Sequence, residues 1–313
     1  MAYFFSCDWG TSAFRLRLIH TADLSIVTET SNSAGCANTN QEWLKASNQK
    51  YGRYTYYKNL IASHIQDIKQ RLHIETEHIP LVISGMASST IGMINLPYKE
   101  APFLINGSDL ITEIIKETEN FPHNTIIISG VRTAEDVMRG EETKLIGCLN
   151  NDNQTEQIIV LPGTHAKHVY IKQKQVTGFK TYMTGEFFNL LSQKSILSLS
   201  VKENGDFDRQ VFEAGVKEGA SGNNILHSAF LVRTNLLLDK YTPGQNFDYL
   251  SGLLLGFELK DLIGLPEPIL LGDEKLGDLY QKAFKVLGIK LCQIINADEA
   301  LIKGQYKLLV KTF

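Results

Sequence analysis

The stretch YFFSCDWGTSAFRLRLIH, residues 3–20, contains the pattern that decides the fold. Residues 3–7 are mostly apolar, and residues 13–20 alternate apolar with polar side chains, so both are predicted strands. The short segment DWGTS at residues 8–12 joins them, and residues 24–30 form a third strand-like run. The N-terminal region therefore predicts a meander of strands whose first turn carries glycine and hydroxyl side chains.

A similar pattern begins in the middle of the chain. Residues 157–161 are apolar, PGTH at residues 162–165 is turn-like, and strand-like patterning resumes from residue 169. Gly163 lies 153 positions after Gly10, which is about half of the 313-residue chain. The spacing favours two similarly built lobes. The alternative is coincidence, because Gly-Thr turns between strands are common.

The remaining segments alternate between strand-like and helix-like patterns, which predicts an α/β fold with helices flanking each sheet. Apolar spacing predicts helices at residues 57–71, 110–117, 187–193, 206–218, 225–239, 249–262, 276–287 and 297–309. Short apolar runs predict further strands at residues 81–83, 126–128, 269–271 and 290–294.

Length and composition indicate two globular domains. A chain of 313 residues suits two domains of about 150 residues each. The polar stretch at residues 150–154 is the predicted boundary, which gives an N-terminal domain at 1–152 and a C-terminal domain at 153–313. With 43% hydrophobic residues, each domain can bury a sizeable core. Two such domains predict a cleft between them.

Charge and cysteine patterns exclude several classes of protein. The 31 basic and 34 acidic residues are spread along the chain, so we expect no nucleic-acid surface. The four cysteines lie far apart, which argues against a zinc site or a disulfide framework and favours a reducing compartment. No apolar run reaches the ~18 residues of a membrane helix, and the N-terminus lacks a signal-peptide pattern. We expect a cytoplasmic protein, and a homo-oligomeric state is left open.

Both Gly-Thr turns have a composition suited to phosphate. Glycine allows close approach of the backbone, and hydroxyl and N–H groups can surround a phosphate. The candidate residues are Asp8, Gly10, Thr11 and Ser12 in the first turn and Gly163 and Thr164 in the second, where Lys167 could add positive charge. Asp8 could hold Mg²⁺ through water. The alternative for the first turn is a hairpin in which Asp8 caps its own backbone.

Two histidines near the second turn raise the question of a metal site. His165 and His168 are three positions apart, so on a strand they would face opposite sides of the sheet. This spacing argues against zinc ligation.

The segment TAEDVMRGEETKLIG, residues 133–147, concentrates four carboxylates and an arginine. Phosphoryl transfer to a hydroxyl needs a carboxylate that takes its proton, and a sugar acid needs a guanidinium for its own carboxylate. The candidate bases are Asp136, Glu141 and Glu142, and the candidate ligand of the substrate carboxylate is Arg139. Alternatively, Thr133 and Asp136 form a helix capping box and the glutamates face solvent.

Three further loops follow predicted strands. Ser84, Gly85 and Met86 could line a substrate pocket or simply form a tight turn. Thr184 and Glu186 are also candidate substrate ligands, although Glu186 could instead cap the next helix. Gly272 could admit a flat adenine against the backbone, or it could belong to a plain loop.

Taken together, these motifs resemble the 2-dehydro-3-deoxygalactonokinase family nearly end to end. The matching strings are DWGTS at 8–12, DVMRGEET at 136–143, PGTH at 162–165 with Lys167, and MTGE at 183–186. The resemblance implies two actin/hexokinase-like (ribonuclease H-like) domains that bind ATP and Mg²⁺ in a cleft. It also implies phosphorylation of the 6-hydroxyl of 2-dehydro-3-deoxy-D-galactonate in galactonate catabolism.

The resemblance also ranks the candidate bases. In related carbohydrate kinases such as xylulokinase, the catalytic aspartate opens the helix before the second phosphate turn. The corresponding position here falls at Glu141 or Glu142, with Asp136 as the next candidate. The tyrosine-rich segment at 49–57 is longer than expected of the family, and it either covers the substrate or lies on the surface.

Two other functions compete with this expectation. One is a kinase on the same scaffold that acts on another sugar acid or an amino sugar. The other is an actin-like regulator that hydrolyses ATP without transferring phosphate to a small molecule.

Overall fold

The computed structural model describes residues 1–45, 52–149, 156–203 and 205–313. These residues form two compact units. Unit 1 comprises Met1–Asn153, Lys174–Thr177 and Ala297–Phe313, and unit 2 comprises Gln154–Gln173 and Gly178–Asn296. The polar stretch predicted as the domain boundary, residues 150–154, lies outside the described residues, and the division at residue 152 stays a prediction.

Unit 1 is built on a mixed sheet that begins with an antiparallel meander. Its first strands are β1 (Tyr3–Trp9), β2 (Phe14–His20), β3 (Ile26–Asn32), β4 (Leu81–Gly85), β5 (Lys99–Glu100), β6 (Phe103–Leu104), β7 (Thr112–Ile115), β8 (Thr125–Ile128), β9 (Val131–Arg132) and β10 (Val137–Met138). The strand order is β3-β2-β1-β4-β8-β7, and β5, β9 and β10 form a separate small sheet. Since β2 pairs antiparallel with both β1 and β3, the predicted N-terminal meander is confirmed.

Helices cover both faces of this sheet. They include α1 (Cys36–Lys45), α2 (Arg53–Leu72) and α3 (Glu141–Cys148). Successive residues of β1 point to opposite faces, so Phe5 packs with Ile61 and Ile65 of α2, whereas Phe4 packs with Ile146 of α3. Within the tyrosine-rich segment, residues 49–51 lie outside the described residues, and Tyr57 is buried in the α2 core.

Unit 2 repeats the plan with more helices. Its strands are β11 (Gln157–Leu161), β12 (Ala166–Lys172), β13 (Gln175–Tyr182), β14 (Ile269–Gly272) and β15 (Gln293–Asn296), and its helices are α4 (Thr184–Lys194), α5 (Arg209–Ala220), α6 (Ile225–Leu237), α7 (Pro243–Leu259) and α8 (Glu274–Val286). The strands β15-β14-β11-β12-β13 lie in this order in the sheet, and Gln175 and Val176 at the start of β13, which belong to unit 1, pair antiparallel with β6. Because β11 pairs antiparallel with β12 and parallel with β14, this sheet is also mixed.

The last helix, α9 (Ala297–Thr312), belongs to unit 1. It packs on α3 at two glycines: a Cβ on Gly147 would lie 1.7 Å from the Ala300 carbonyl oxygen, and a Cβ on Gly304 would lie 1.9 Å from the Thr143 carbonyl oxygen. The side chains of Ile302, Leu308 and Leu309 complete the sheet core on this face. The helix itself was predicted, but the sequence-based division assigned it to the C-terminal domain.

The predicted helix at residues 110–117 is wrong, because the segment forms strand β7. Thr112 and Ile114 pair antiparallel with Ile128 and Ile126 of β8. The β-branched side chains of this segment favour a pleated strand over a helix, and its apolar spacing alone did not distinguish the two.

The alternative considered for Thr133 and Asp136, a helix capping box, is wrong. The two residues close a turn between β9 and β10, where the Thr133 N–H donates to the Asp136 carbonyl oxygen at 2.8 Å. The Asp136 N–H donates to the Thr133 hydroxyl oxygen at 2.9 Å. The same bond occurs at the start of helices, but here it stabilises the turn of a hairpin.

Candidate functional site

In unit 1, two of the predicted loops meet at the ends of neighbouring strands. β1 and β4 are parallel, and Asp8 is paired with Ser84 and Trp9 with Gly85. A Cβ on Gly85, which has φ 93°, would lie only 2.7 Å from the Trp9 carbonyl oxygen. A Cβ on Gly140 would lie 3.3 Å from the Gly85 Cα, so the start of α3 adjoins the same loop. Glycine at position 85 is therefore required by both its backbone angle and its neighbours.

The first Gly-Thr turn is held by the start of α1. The Gly10 N–H donates to the Ala13 carbonyl oxygen at 2.9 Å, which closes the turn. The Gly10 and Thr11 carbonyl oxygens accept hydrogen bonds at 2.9 and 3.0 Å from the backbone N–H groups of residues 36 and 37. The side chains of Thr11 and Ser12 remain exposed. The turn thus presents hydroxyl groups to solvent on a fixed backbone.

Asp8 is half-buried at the end of β1. Across the four described ranges, no group of three or more His, Cys, Asp or Glu side chains could hold a metal ion. A single carboxylate nevertheless suits Mg²⁺, which keeps several waters and takes its remaining oxygens from phosphates. A single carboxylate such as Asp8 therefore suits a hydrated Mg²⁺ ion. It does not suit an ion that takes three or more ligands from protein side chains.

The arginine at the start of α3 is fixed by two contacts. Its Nη1 donates to the backbone carbonyl oxygen and to the hydroxyl oxygen of Ser88, both at 2.6 Å. The Arg139 guanidinium also lies 4.2 Å from the centroid of the Tyr98 ring. These contacts reduce the number of conformations that the long side chain of Arg139 can adopt.

The two adjacent glutamates of α3 have different environments. Glu141 is half-buried, and its carboxylate accepts a hydrogen bond from the Arg139 N–H at 3.0 Å. Glu142 is fully buried, and both of its carboxyl oxygens face the Gly140 N–H, at 3.0 and 2.7 Å. Burial, reinforced by the nearby charge of Glu141, raises the pKa of Glu142 to about 8. Glu142 is therefore mostly protonated at neutral pH, which makes it a poor proton acceptor there.

The third candidate base, Asp136, lies in the turn between β9 and β10. Its carboxylate accepts a hydrogen bond from the Val137 N–H at 2.7 Å. This local bond is typical of an aspartate in a turn.

In unit 2, the second Gly-Thr turn lies against the start of α4. A Cβ on Gly185 would lie 2.8 Å from both the Gly163 carbonyl oxygen and the Thr164 Cα, so only glycine fits there. The Glu186 N–H donates to the Thr164 carbonyl oxygen at 3.0 Å, and the Glu186 carboxylate lies 2.5 Å from Nε2 of His165. Thr184 and Glu186, predicted as substrate ligands, thus lie beside the second turn.

This turn opens into a cavity of about 870 Å³ within unit 2. Its lining includes Gly163, Thr164, Thr184, Gly185, Phe188, Phe207, Phe247, Asp248, Lys275, Leu276 and Tyr280. The volume is within the range of about 300–1,000 Å³ that is usual for small-molecule sites. Mostly apolar walls, with the turn and a few polar groups among them, suit a ligand with a flat apolar part and a polar end.

Two other predicted ligands lie near this turn in less accessible positions. Gly272 ends β14, and a Cβ added to it would make an ordinary contact of 3.4 Å with the Pro162 ring. Lys167 is only 4% exposed, and its ammonium donates to the His165 carbonyl oxygen at 3.2 Å. Its charge therefore lies close to the turn backbone.

The two histidines have different environments, because His165 lies in the turn and His168 lies within β12. His165 is exposed and pairs with Glu186, whereas His168 is fully buried and lies 3.0 Å from the carboxylate of Glu258. Glu258 was missed by the sequence reasoning. The sequence did contain a signal, which is a single glutamate within the otherwise apolar run LLLGFEL of α7. A carboxylate at such a position is buried only where hydrogen-bond donors surround it.

Gln305 was also missed. It is fully buried on α9, and its amide donates to the Cys7 carbonyl oxygen at 3.0 Å and to the Ser84 hydroxyl oxygen at 2.8 Å. This one side chain supports the ends of β1 and β4, next to Asp8.

The helices and the cysteines were also compared with the expectations from the sequence. None of the helices in the described part of the chain is both long and apolar enough to cross a membrane. The four cysteines carry free thiols, and those of Cys7 and Cys36 are buried.

Two mixed sheets that each begin with a meander around a Gly-Thr turn, with helices packed on them, define the actin/hexokinase-like class of ATPase folds. A family model described as 2-keto-3-deoxy-galactonokinase matches residues 8–308. The chain belongs to the 2-keto-3-deoxy-galactonokinase family, a family of carbohydrate kinases, and the resemblance inferred from the motifs is confirmed.

Individual relatives agree with this assignment. The 2-dehydro-3-deoxygalactonokinase of Escherichia coli is 33% identical over 238 residues, which cover 73% of this chain and 77% of that protein. A Rhizobium meliloti protein named "Probable 2-dehydro-3-deoxygalactonokinase DgoK1" is 28% identical over 96% of this chain and 95% of its own length. A solved Sinorhizobium meliloti structure assigned to the same kinases has a TM-score of 0.83 at 27% identity and covers 99% of this chain and 97% of its own.

Proposed function

We propose that this protein transfers the γ-phosphate of ATP to the 6-hydroxyl of 2-dehydro-3-deoxy-D-galactonate, a step of galactonate catabolism in the cytoplasm. Membership of the family and the name of the Escherichia coli relative support the choice of substrate. The structural observation that carries the proposal is the Gly163-Thr164 turn, which opens into a cavity of about 870 Å³ with largely apolar walls.

The nucleotide would be bound through unit 2. Gly163 and Thr164 offer a close backbone approach to the phosphates, and the apolar lining near Phe207 and Leu276 offers faces for the adenine ring. Gly272 lies against Pro162, one position before the turn, and this position supports a role for Gly272 near the nucleoside. Lys167 would add positive charge behind the turn.

The acceptor would be bound by residues of unit 1. Arg139, fixed by Ser88 and Tyr98, would pair with the substrate carboxylate. The loop at Ser84–Met86 would form part of the wall of the substrate site. Glu141, half-buried and close to the backbone of Arg139, would accept the proton of the attacking hydroxyl.

A magnesium ion is part of this proposal because the residues present suit it. Asp8 would hold Mg²⁺ through water, and Thr11 and Ser12 would lie beside it. When bound, the ion neutralises negative charge that develops on the transferred phosphoryl group.

The decisive experiment measures ADP formation from ATP with and without 2-dehydro-3-deoxygalactonate. ADP formation that depends on this acid supports the proposal. A stronger response to another sugar acid or amino sugar in the same panel would favour a different kinase. Slow ADP formation that no acceptor changes would contradict a kinase and favour an ATP-hydrolysing regulator.

The base assignment gives a first prediction. Glu141→Gln removes the proton acceptor but keeps the side-chain shape, so kcat should fall by about 10²–10⁴-fold. Binding of ATP, followed by calorimetry, should be unchanged. Glu135→Gln is the matched control, because Glu135 is an exposed carboxylate of the neighbouring turn. Normal turnover by the Glu141 variant, together with its loss in Asp136→Asn, would assign the base to Asp136 instead.

A further inference from the structure

A buried carboxylate in unit 2 has no part in the roles assigned above. Glu258 of α7 is only 1% exposed. One of its oxygens lies 3.0 Å from Nε2 of His168, and the other accepts hydrogen bonds from the hydroxyls of Tyr280 at 2.8 Å and Thr184 at 2.5 Å. The three partners come from β12, α8 and the first residue of α4. One side chain therefore connects four elements.

Such an arrangement costs free energy compared with an apolar side chain. A buried carboxylate is tolerated only when charge-assisted hydrogen bonds replace its hydration, and replacing buried polar networks by apolar residues is often neutral or stabilising. Glu258 lies in an apolar helix, with Leu255 and Leu259 packed into the core beside it. Stability alone would be served as well by apolar side chains at Glu258 and its partners together, so it gives no reason for a buried carboxylate network here.

The partners of Glu258 lead directly to the second Gly-Thr turn. Thr184 holds the start of α4, and the next residue, Gly185, lies against the Gly163 carbonyl oxygen and the Thr164 Cα. Because that contact is too close for any Cβ, a shift of Thr184 would move the turn backbone as well.

A second connection reaches the same turn through β12. His168 lies four positions after Thr164 in the sequence. The centroid of its ring lies 4.4 Å from that of Tyr182, which is two positions before Thr184. The Tyr182 hydroxyl donates to Asp261 at 2.8 Å. Glu258 therefore contacts both backbone segments that flank the turn: the strand that leaves it and the helix start that packs on it.

The hydroxyls in this network stay in their donating form. Burial, together with the negative charge of Glu258, raises the pKa of Tyr280. The Nδ1 atom of His168 is buried without a hydrogen-bond partner among the residues that the structure describes. The histidine is thus oriented by Glu258 and by its tilted contact with the Tyr182 ring.

We propose that Glu258 is a positioning residue for nucleotide binding, which holds the Gly163-Thr164 turn in its binding geometry through the Thr184 hydroxyl and His168. The proposal rests on the proposed function, because it needs the turn to bind the phosphates of ATP. It assigns Glu258 no contact with the nucleotide itself.

The test compares Glu258→Gln with a matched control, Glu218→Gln. Glu218, on α5 of the same unit, also accepts hydrogen bonds from a hydroxyl and an amide, Ser228 at 2.6 Å and Asn223 at 3.0 Å. Calorimetry with ADP and steady-state kinetics should show that Glu258→Gln weakens ADP binding and raises the KM for ATP by about tenfold or more. The KM for the sugar acid should stay within about twofold, and Glu218→Gln should bind ADP like the wild type.

A second pair of variants covers the case in which Glu258→Gln does not fold. Thr184→Val removes the hydroxyl bonded to Glu258 and should weaken ADP binding, whereas Thr184→Ser keeps the hydroxyl and should restore it. If Thr184 acts through Glu258, the losses in the double variant should be less than additive. Wild-type ADP affinity in Thr184→Val or in Glu258→Gln, or full additivity where Glu258→Gln folds, would overturn the positioning role. Absence of ADP and ATP binding by the wild type would instead contradict the kinase function itself, and this inference with it.

Discussion

At the level of single residues, Glu141 and Glu142 show how position in a helix separates two identical side chains. Glu141 opens α3 at the edge of the core, and Glu142 points into it, where it is 0% exposed. Burial changes the pKa of Glu142 from its ordinary value of 4.5 to about 8. The same chemical group is therefore a candidate base at one position and a neutral hydrogen-bonding acid at the next.

This difference predicts how stability depends on pH. Because the pKa of Glu142 is raised in the folded state, its contribution to stability is complete below its ordinary pKa of 4.5 and is lost as the pH rises through about 8. Glu142→Gln does not titrate, so the wild type should lose free energy of unfolding relative to this variant between pH 5 and 8. The slope should be at most about 1.4 kcal/mol per pH unit.

Urea denaturation at a series of pH values measures the difference. The control is Glu135→Gln, which replaces an exposed carboxylate of the turn that precedes α3. Parallel curves for Glu142→Gln and the wild type would show that Glu142 is ionised in the folded protein, contrary to the expectation.

The sequence identified residues whose role depends on neighbours in the chain, and missed those whose partners are distant. Gly163 and Thr164 belong to a short motif, and their turn was predicted from that motif alone. Glu258 contacts His168, which is 90 positions away in the sequence. Gln305 donates to the carbonyl oxygen of Cys7, which is 298 positions away. No local pattern contains such contacts, so only the unusual placement of a glutamate in an apolar helix gave a hint.

At the level of elements, α3 and α9 approach each other as closely as backbones allow. Gly147 and Gly304 leave no space for a Cβ, which would lie 1.7 or 1.9 Å from a carbonyl oxygen of the partner helix. This close packing fixes the start of α3, and with it the candidate site residues Arg139 and Glu141. Apolar spacing predicted α9, whereas a helix at the position of α3 was expected only from the family resemblance. Their contact became visible only in the folded chain.

Gly147→Ala should therefore destabilise the protein, even though alanine favours helices. The added methyl group must push α9 away, and we expect a loss of at least about 3 kcal/mol in the free energy of unfolding, the upper end for overpacked cores. Gly178→Ala is the control, because a Cβ at that position in β13 meets nothing within 4 Å. Thermal unfolding of the two variants checks the expectation. Equal melting temperatures would mean that the helices can separate without cost.

The error at residues 110–117 also belongs to this level. The apolar spacing of the segment is compatible with a helix, and a single segment contains no information on the strand that will pair with it. The pairing of β7 with β8 decided the outcome, together with the β-branched residues that favour a pleated backbone. In this segment the β-propensity of the residues was a better guide to secondary structure than the spacing of its apolar residues.

At the level of the whole molecule, unit 1 is assembled from distant parts of the chain. The last helix returns to it, where Asp298 pairs with Arg17 at 2.5 Å and Gln305 supports the ends of β1 and β4. Arg17 is 1% exposed and also pairs with Glu29. The two-unit plan was predictable from the repeated Gly-Thr turns, because each marks the start of a sheet. The return of α9 was not, because α9 follows unit 2 in sequence.

Removal of residues 297–313 should consequently disrupt unit 1, although none of the phosphate-turn residues is removed. The truncation exposes the apolar sheet face formed by Phe4, Val82 and Ile126, and it leaves the buried guanidinium of Arg17 without Asp298. Because Asp298 is itself partly exposed and Glu29 stays paired with Arg17, the loss of apolar packing on the sheet face is the larger of the two effects. We expect the truncated chain to aggregate or to lose the cooperative transition of unit 1 in calorimetry. Removal of Phe313 alone, which is 48% exposed, should leave that transition in place. A cooperative, soluble truncated protein that still melts like the full chain would show that unit 1 folds without α9.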